Sequence, residues 1–275
     1  MHFFVRIWPI AGMLLGLSCH FAQAEELVIP GSGNPEVVLK ALADVFNRQQ
    51  TQHSVSIPPS TGAAGALRDV EAGKAVLGRI GRPLKPDESA RGLSYVALGR
   101  DPVAFVAGAG VQIKGLSTAQ VLDAYTGKVS NWSEVGGKAG PIRAIGREVS
   151  DTSRQSISRV INPFGDLTFG PGIKLVNLDP QMIDLLDRYP TSLGFLNRSA
   201  LAACKTRVNL LALDGMEPSP QNVGAGRYPI WIEFGLIHKT GKLGPAAKSF
   251  IEFSRSSEGI RILREHGVIA AVAPT

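Results

Sequence analysis

Two hydrophobic rhythms alternate along this chain. One is a short apolar run with period two or none, the mark of a strand. The other places apolar residues three and four apart, the mark of a helix buried on one face. Glu26 to Pro30 is a run of the first kind, and Val38, Leu42 and Val45 then share a helical face. Asn34-Pro35 predicts where that helix starts, with asparagine at the N-cap and proline as the first helical residue. Ser54 to Ile57 reads as a strand, Leu67 and Val70 as the buried side of a second helix, and Ala75 to Ile80 as another strand. The apolar segment Tyr95 to Ala107 holds one or two strands. Ser117-Thr118-Ala119-Gln120 is a capping box for a helix reaching about Tyr125. Ile142 to Ile145 is a strand, Ser150 or Asp151 caps a helix to about Ile161, and Asp179-Pro180 opens one that ends before Pro190. Strands recur at Leu193 to Leu196, Val208 to Leu213 and Ile230 to His238. Helix follows from about Pro245, broken near Ser256 and stopped at Gly267. This alternation predicts an α/β fold with largely parallel sheets.

Three of the strand-to-helix junctions share a chemistry. They are Gly31-Ser32-Gly33-Asn34, Ser60-Thr61-Gly62, and Ser150-Asp151-Thr152-Ser153. The first turn of a helix offers unpaired N–H groups and a partial positive charge. Glycine lets a ligand approach the backbone, and hydroxyls add donors. Three such ends brought together would cage a tetrahedral oxyanion without a metal. Arg147, just before the third loop, could clamp it with two parallel hydrogen bonds. Taken singly, each loop reads equally well as an ordinary N-cap.

The first 24 residues stand apart. Arg6, an apolar stretch from Ile10 to Leu17 and Ala22-Gln23-Ala24 make a secretory leader, with cleavage expected after Ala24. Cys19 follows Gly16-Leu17-Ser18, a poor lipoprotein box, so cleavage is favoured over a lipid anchor. Cys204 is then the sole remaining cysteine, and no intramolecular disulfide can form. With 275 residues, 44% hydrophobic and 19% charged, the chain can build a large core or two lobes. The net charge of +6 is scattered, with no run of five cations, which argues against nucleic acid. It suits a small anion, or solubility alone. Nucleophile-elbow and phosphate-loop signatures are absent, and the five histidines have no metal-ligand spacing, so neither metal nor cofactor is expected. Asp101 reads as a structural hydrogen-bond former, and Trp132 and Trp231 as core residues.

Several stretches resemble one family. These are Gly73-Lys74-Ala75 through Gly81-Arg82-Pro83-Leu84, Leu116-Ser117 through Tyr125-Thr126-Gly127-Lys128, Asn131-Trp132-Ser133-Glu134-Val135-Gly136-Gly137, Arg147-Glu148, Ser192-Leu193-Gly194-Phe195, and Phe250 to Gly259. Together with the order of the three loops they resemble the phosphate-binding proteins of ABC transporters, over nearly the whole mature chain. The resemblance implies a two-lobed periplasmic-binding-protein (type II) fold, with two crossover strands as hinge and the ligand cleft between the lobes. It puts residues 25–102 plus 229–275 in lobe I and 103–228 in lobe II, with crossings near Leu98 to Phe105 and Tyr228 to Phe234. It implies that Ser32, Gly33, Asn34, Ser60, Thr61, Gly62, Gly81, Arg147, Asp151, Thr152 and Ser153 hold phosphate or a similar oxyanion. A monomer in the periplasm would then pass the ligand to an inner-membrane ABC permease. The sequence departs from the family at Gly81, at Val76, and at Ser150 to Ser153, where the family has Gly-Ser-Gly-Thr. Asp151 could accept a proton from the ligand, mark a different ligand, or cap the helix and point away; the last is preferred. A sensor or surface-interaction module with another ligand stays open, and an exported hydrolase is a third reading.

Overall fold

A computed structural model describes residues 25–49 and 52–271. The expected leader at residues 1–24, with Cys19, lies outside the described residues. The strands are β1 (Glu25–Val28), β2 (His53–Ser56), β3 (Gly78–Ile80), β4 (Leu93–Ala107), β5 (Gly115–Leu116), β6 (Arg143–Arg147), β7 (Lys174–Val176), β8 (Ser192–Asn197), β9 (Asn209–Leu213), β10 (Trp231–Lys239) and β11 (Ile269–Ala270). The helices are α1 (Glu36–Gln49), α2 (Gly62–Glu71), α3 (Pro86–Ala90), α4 (Thr118–Thr126), α5 (Thr152–Val160), α6 (Asp179–Arg188), α7 (Pro220–Gly224), α8 (Pro245–Arg255) and α9 (Ser257–Glu265).

Capping chemistry fixes several of these boundaries. At α4, Ser117 Oγ accepts from the Gln120 amide at 3.2 Å, and Gln120 Oε1 accepts from the Ser117 amide at 2.8 Å. At α5, Asp151 Oδ1 accepts from the Arg154 amide at 2.9 Å. Helix α1 starts at Glu36, one residue later than Asn34-Pro35 suggests, and the Asn34 side chain reaches to Ser153 instead.

The sheet is mixed, which corrects the expectation of largely parallel strands. β4 runs antiparallel to β8, β9, β10 and β11, and β10 antiparallel to β3; β1–β2, β5–β9, β6–β7 and β6–β8 are parallel. Alternation of helix and strand says that a strand has a neighbour, but not in which direction that neighbour runs. Here β4 is one continuous 15-residue strand with two sets of partners. Leu93 to Pro102 pair with β10, while Val103 to Ala107 pair with β8, and Phe105 to Ala107 also with β9.

Two apolar cores flank that change of partners. One gathers Leu27, Leu39, Phe46, Leu98, Phe234 and Phe250. The other gathers Phe105, Tyr125, Trp132, Phe164, Phe195 and Ile230, with edge-on ring pairs such as Tyr125–Phe164 at 5.2 Å and Phe164–Phe195 at 5.7 Å. The Asn131 to Gly137 block is a folding device for the second core. Asn131 Oδ1 accepts from the Ser133 and Gly140 amides and Glu134 Oε1 from the Ser130 and Asn131 amides, so Trp132 is buried with its ring nitrogen donating to the Thr191 carbonyl at 2.9 Å. Trp231 is half-buried beneath the Arg100 guanidinium.

Candidate functional site

The two cores meet along a cleft that holds a cavity of about 370 Å3. Four helices begin at its wall: α1 after Ser32, Gly33 and Asn34; α2 after Ser60 and Thr61; α5 after Ser150 and Asp151; and α6 after Asn177 and Leu178. Each start carries roughly half a positive charge on its unpaired N–H groups. Four of them facing one space favour an anion through the backbone, against the carboxylates of Glu148, Asp151 and Asp179 in the same wall, which Arg147 partly offsets. Larger hollows of about 630 Å3 beside Tyr189 and about 780 Å3 beside Gly115 bring no helix starts together, and one of about 570 Å3 beside Lys40 shares only the starts of α1 and α6.

The loops on the α1 and α2 side are held by a buried arginine. Arg79 is fully buried on β3; its Nε donates to the Ser32 carbonyl at 2.8 Å, Nη1 to the Ile29 carbonyl, and Nη2 to the Pro58 carbonyl at 2.7 Å and to Glu36 Oε2 at 3.1 Å. Desolvation lowers its pKa and Glu36 works against that fall. Gly31 is where this packing demands glycine: φ is +142°, and a Cβ would lie 2.0 Å from the Arg79 carbonyl oxygen. The Thr61 amide donates to the Gly31 carbonyl at 3.0 Å, which ties the α2 loop to the α1 loop.

Across the cleft, Arg147 ends β6 in the wall of the cavity, with both terminal nitrogens of its guanidinium engaged. Nη1 donates to Asp179 Oδ1 at 2.6 Å, and Nη2 to Asp151 Oδ2 at 2.7 Å and to the Asn177 carbonyl at 3.3 Å. Nε is buried without a partner among the described residues. Burial opposes the charge on Arg147, but Asp179 and Asp151 outweigh it and raise its pKa. Asp179 is itself pushed up, first by desolvation and against the pull of Arg147. Arg154 is spent on structure, donating to the carbonyls of Arg147, Gly165 and Leu167 and stacking 4.3 Å from the Phe169 ring centroid.

Of the residues singled out in the sequence, Ser32, Gly33, Asn34, Ser60, Thr61, Gly62, Arg147, Asp151 and Thr152 line the cavity. Gly81 and Ser153 stand behind it. A Cβ on Gly81 would press on Asn34 Oδ1 at 3.2 Å, so this glycine makes room for a neighbour. Ser153 is buried and takes the Asn34 amide hydrogen at 2.9 Å. Asp151 caps α5 but does not point away, because its second oxygen holds Arg147. Ala63, Glu148, Ser150, Asn177, Leu178 and Asp179 complete the wall. In the sequence Asp179 reads only as a helix start, because Asn177-Leu178 before it carries neither the glycine nor the hydroxyls that mark the other three loops. Arg79 had a signal too, as a lone charge in the apolar run Ala75 to Ile80.

A bilobal α/β scaffold with four helix starts facing one cleft defines the class of solute-binding proteins with an anion site. The PBP superfamily domain model matches residues 21–258, and the chain belongs to that superfamily. It is 26% identical over 237 residues to the phosphate-binding protein PstS of Bacillus subtilis (strain 168), covering 84% of this chain and 76% of that one. It superposes with a TM-score of 0.76, at 25% identity, on a Clostridium perfringens protein assigned as a phosphate ABC transporter substrate-binding protein and solved with bound phosphate, covering 90% of this chain and 100% of that one. The fold is shared with an ABC-type phosphate transport receptor from Vibrio cholerae, at a TM-score of 0.63 and 22% identity, over 91% of this chain and 100% of that one.

Proposed function

We propose that this protein captures phosphate, or a closely similar oxyanion, in the cleft and delivers it to an inner-membrane ABC permease. The convergence of four helix starts and Arg147 on one cavity carries this reading, and the phosphate-binding relatives support it. Ser32, Gly33, Asn34, Ser60, Thr61, Gly62, Arg147, Asp151 and Thr152 surround the ligand, while Gly81 and Ser153 shape the loops behind them. Hydroxyls and backbone N–H groups make most of the contacts, since Arg147 is already shared between two carboxylates. Residues 25–102 with 229–275 form one lobe and 103–228 the other, and the lobes close on the ligand about β4 and β10. The chain acts as a binding protein rather than an enzyme, exported by its leader and working as a monomer in the periplasm.

Thermal unfolding of unliganded protein against phosphate, arsenate, sulfate, molybdate and organic phosphates tests the reading. A specific ligand at about 100 times its Kd adds roughly 2.7 kcal/mol of stability. No response to phosphate between about pH 5 and pH 8 would overturn the phosphate assignment and leave the fold untouched.

A further inference from the structure

Asp101 is wholly buried on β4, at the turnover from one set of strand partners to the other. It has no ion pair among the described residues; neutral donors hold it. The Ser199 amide donates to Oδ1 at 3.1 Å, and the Asn197 side-chain amide donates to Oδ2 at 2.8 Å. That same Asn197 nitrogen donates to the Asn34 carbonyl at 2.9 Å and stands 2.8 Å from Ser199 Oγ. Asn34 in turn donates from Nδ2 to Ser153 Oγ at 2.9 Å. A hydrogen-bonded chain therefore runs from the crossing strand to the α1 loop and over to the start of α5. Asn34 lines the cavity, whereas Asp101 and Asn197 do not.

A side-chain amide has a donor end and an acceptor end of nearly equal shape, and its surroundings decide which way it turns. Three oxygens surround the nitrogen of Asn197. Its Oδ1 is buried without a partner, so nothing on that side competes. A charged carboxylate penalises the reversed amide far more than a neutral acceptor would, because Oδ1 would then face a negative oxygen.

We propose that Asp101 is a positioning residue for ligand capture: it fixes the donor end of Asn197 on the Asn34 carbonyl and so holds the α1 loop in register with Ser153 across the cleft. The proposal rests on the capture reading above. Burial brings the Asp101 carboxyl up to about 7, so its charge changes in the neutral range. The charged groups nearby are engaged elsewhere: Arg100 with Glu233 of β10 at 3.9 Å, and Arg198 with the Pro218 carbonyl at 3.0 Å. The remaining neighbours facing Asp101 are Asn197, the Arg198 backbone amide, Ser199 and, across the β10 ladder, Ile232.

The test is phosphate titration calorimetry on wild type, Asp101→Asn, Asn197→Leu and the double variant. Near pH 8 each single change should weaken Kd about tenfold, the worth of one buried charge-assisted hydrogen bond. The double variant should be no weaker than the weaker single, because both break one chain. The ratio of Asp101→Asn to wild-type Kd should fall toward one near pH 5.5, where the wild-type Asp101 carboxyl is protonated and as uncharged as the asparagine. Phosphate's own ionisation is common to both proteins and cancels in that ratio. Hydrogen exchange on unliganded Asp101→Asn should show lost protection at residues 31–36 and 150–154, with the β4–β10 ladder unchanged. Wild-type Kd and exchange in Asp101→Asn, or additive losses in the double variant, would overturn the proposal. Should wild type bind no phosphate, the phosphate reading falls and the exchange pattern alone decides the positioning role. Asn197→Leu carries the same test if Asp101→Asn does not fold.

Discussion

At Arg147, Asp151 and Asp179 occupy Nη positions that a bare arginine would offer to an anion. Asp151 has both oxygens engaged, one on the α5 cap and one on Arg147, so it competes with the ligand for the guanidinium. Asp151→Ser keeps a good cap and removes the competitor. Phosphate should bind about tenfold tighter, or about 1.4 kcal/mol, measured by calorimetry at low salt. Weaker binding would mean that Asp151 accepts a proton from the ligand instead. Asp101 makes a second prediction, on stability. Its carboxyl moves from 3.8 to about 7 on folding. Between those values the native state keeps a proton that the unfolded chain releases, so stability contributed by this group falls as pH rises through that window, by at most about 4 kcal/mol. The difference in urea midpoint between Asp101→Asn and wild type should therefore shift in favour of the variant from about pH 4 to about pH 7. Parallel pH profiles would rule this out. The two effects of Asp101 oppose each other: the charge that fixes Asn197 is the charge that burial disfavours.

At the scale of elements, what was legible in the sequence is what local chemistry decides. Ser117 with Gln120, Asp151, and Ser256 all cap where their residue types say they should. Three of the four junction loops at the cavity were legible for the same reason, since hydroxyl and glycine positions at helix starts are local. Strand direction was not, because β4 acquires its partners from residues more than 80 positions away. Nor was the role of Arg79, whose partners are the carbonyls of Ile29, Ser32 and Pro58 and the Glu36 carboxylate. A buried arginine that ties two ligand loops looks, in sequence, like an irregularity in a strand. Arg79→Met keeps an unbranched apolar stem, removes the guanidinium and strands those acceptors, Glu36 among them. It should cost about 3–5 kcal/mol in denaturant unfolding and weaken phosphate binding, although Arg79 does not line the cavity. A stable Arg79→Met protein that binds phosphate as wild type does would show that the loops are held by other means.

For the whole molecule, the question is whether two cores make two folding units. β4 carries Leu98 into one core and Phe105 into the other, within a single strand. Its ladder with β10 spans Trp231 to Lys239, and Phe234 and Ile232 on that strand likewise belong to different cores. Val37 of α1 packs against the cluster formed by Met182, Ile183 and Leu186 of α6, and the Asn34–Ser153 and Asn197–Asn34 hydrogen bonds are buried between the two sides. Melting one core would strip the other of a strand partner and leave these polar groups unpaired, a penalty of the same order as the stability of a domain. One transition is therefore expected. Phe105→Ala and Phe250→Ala each empty a fully buried ring site, one in each core, and each should cost about 3–5 kcal/mol. In scanning calorimetry both should lower the same single peak. If Phe105→Ala instead splits the peak and leaves its upper part where wild type melts, the core around Phe250 folds without its neighbour, and β4 is a tether between two independent lobes rather than a shared strand.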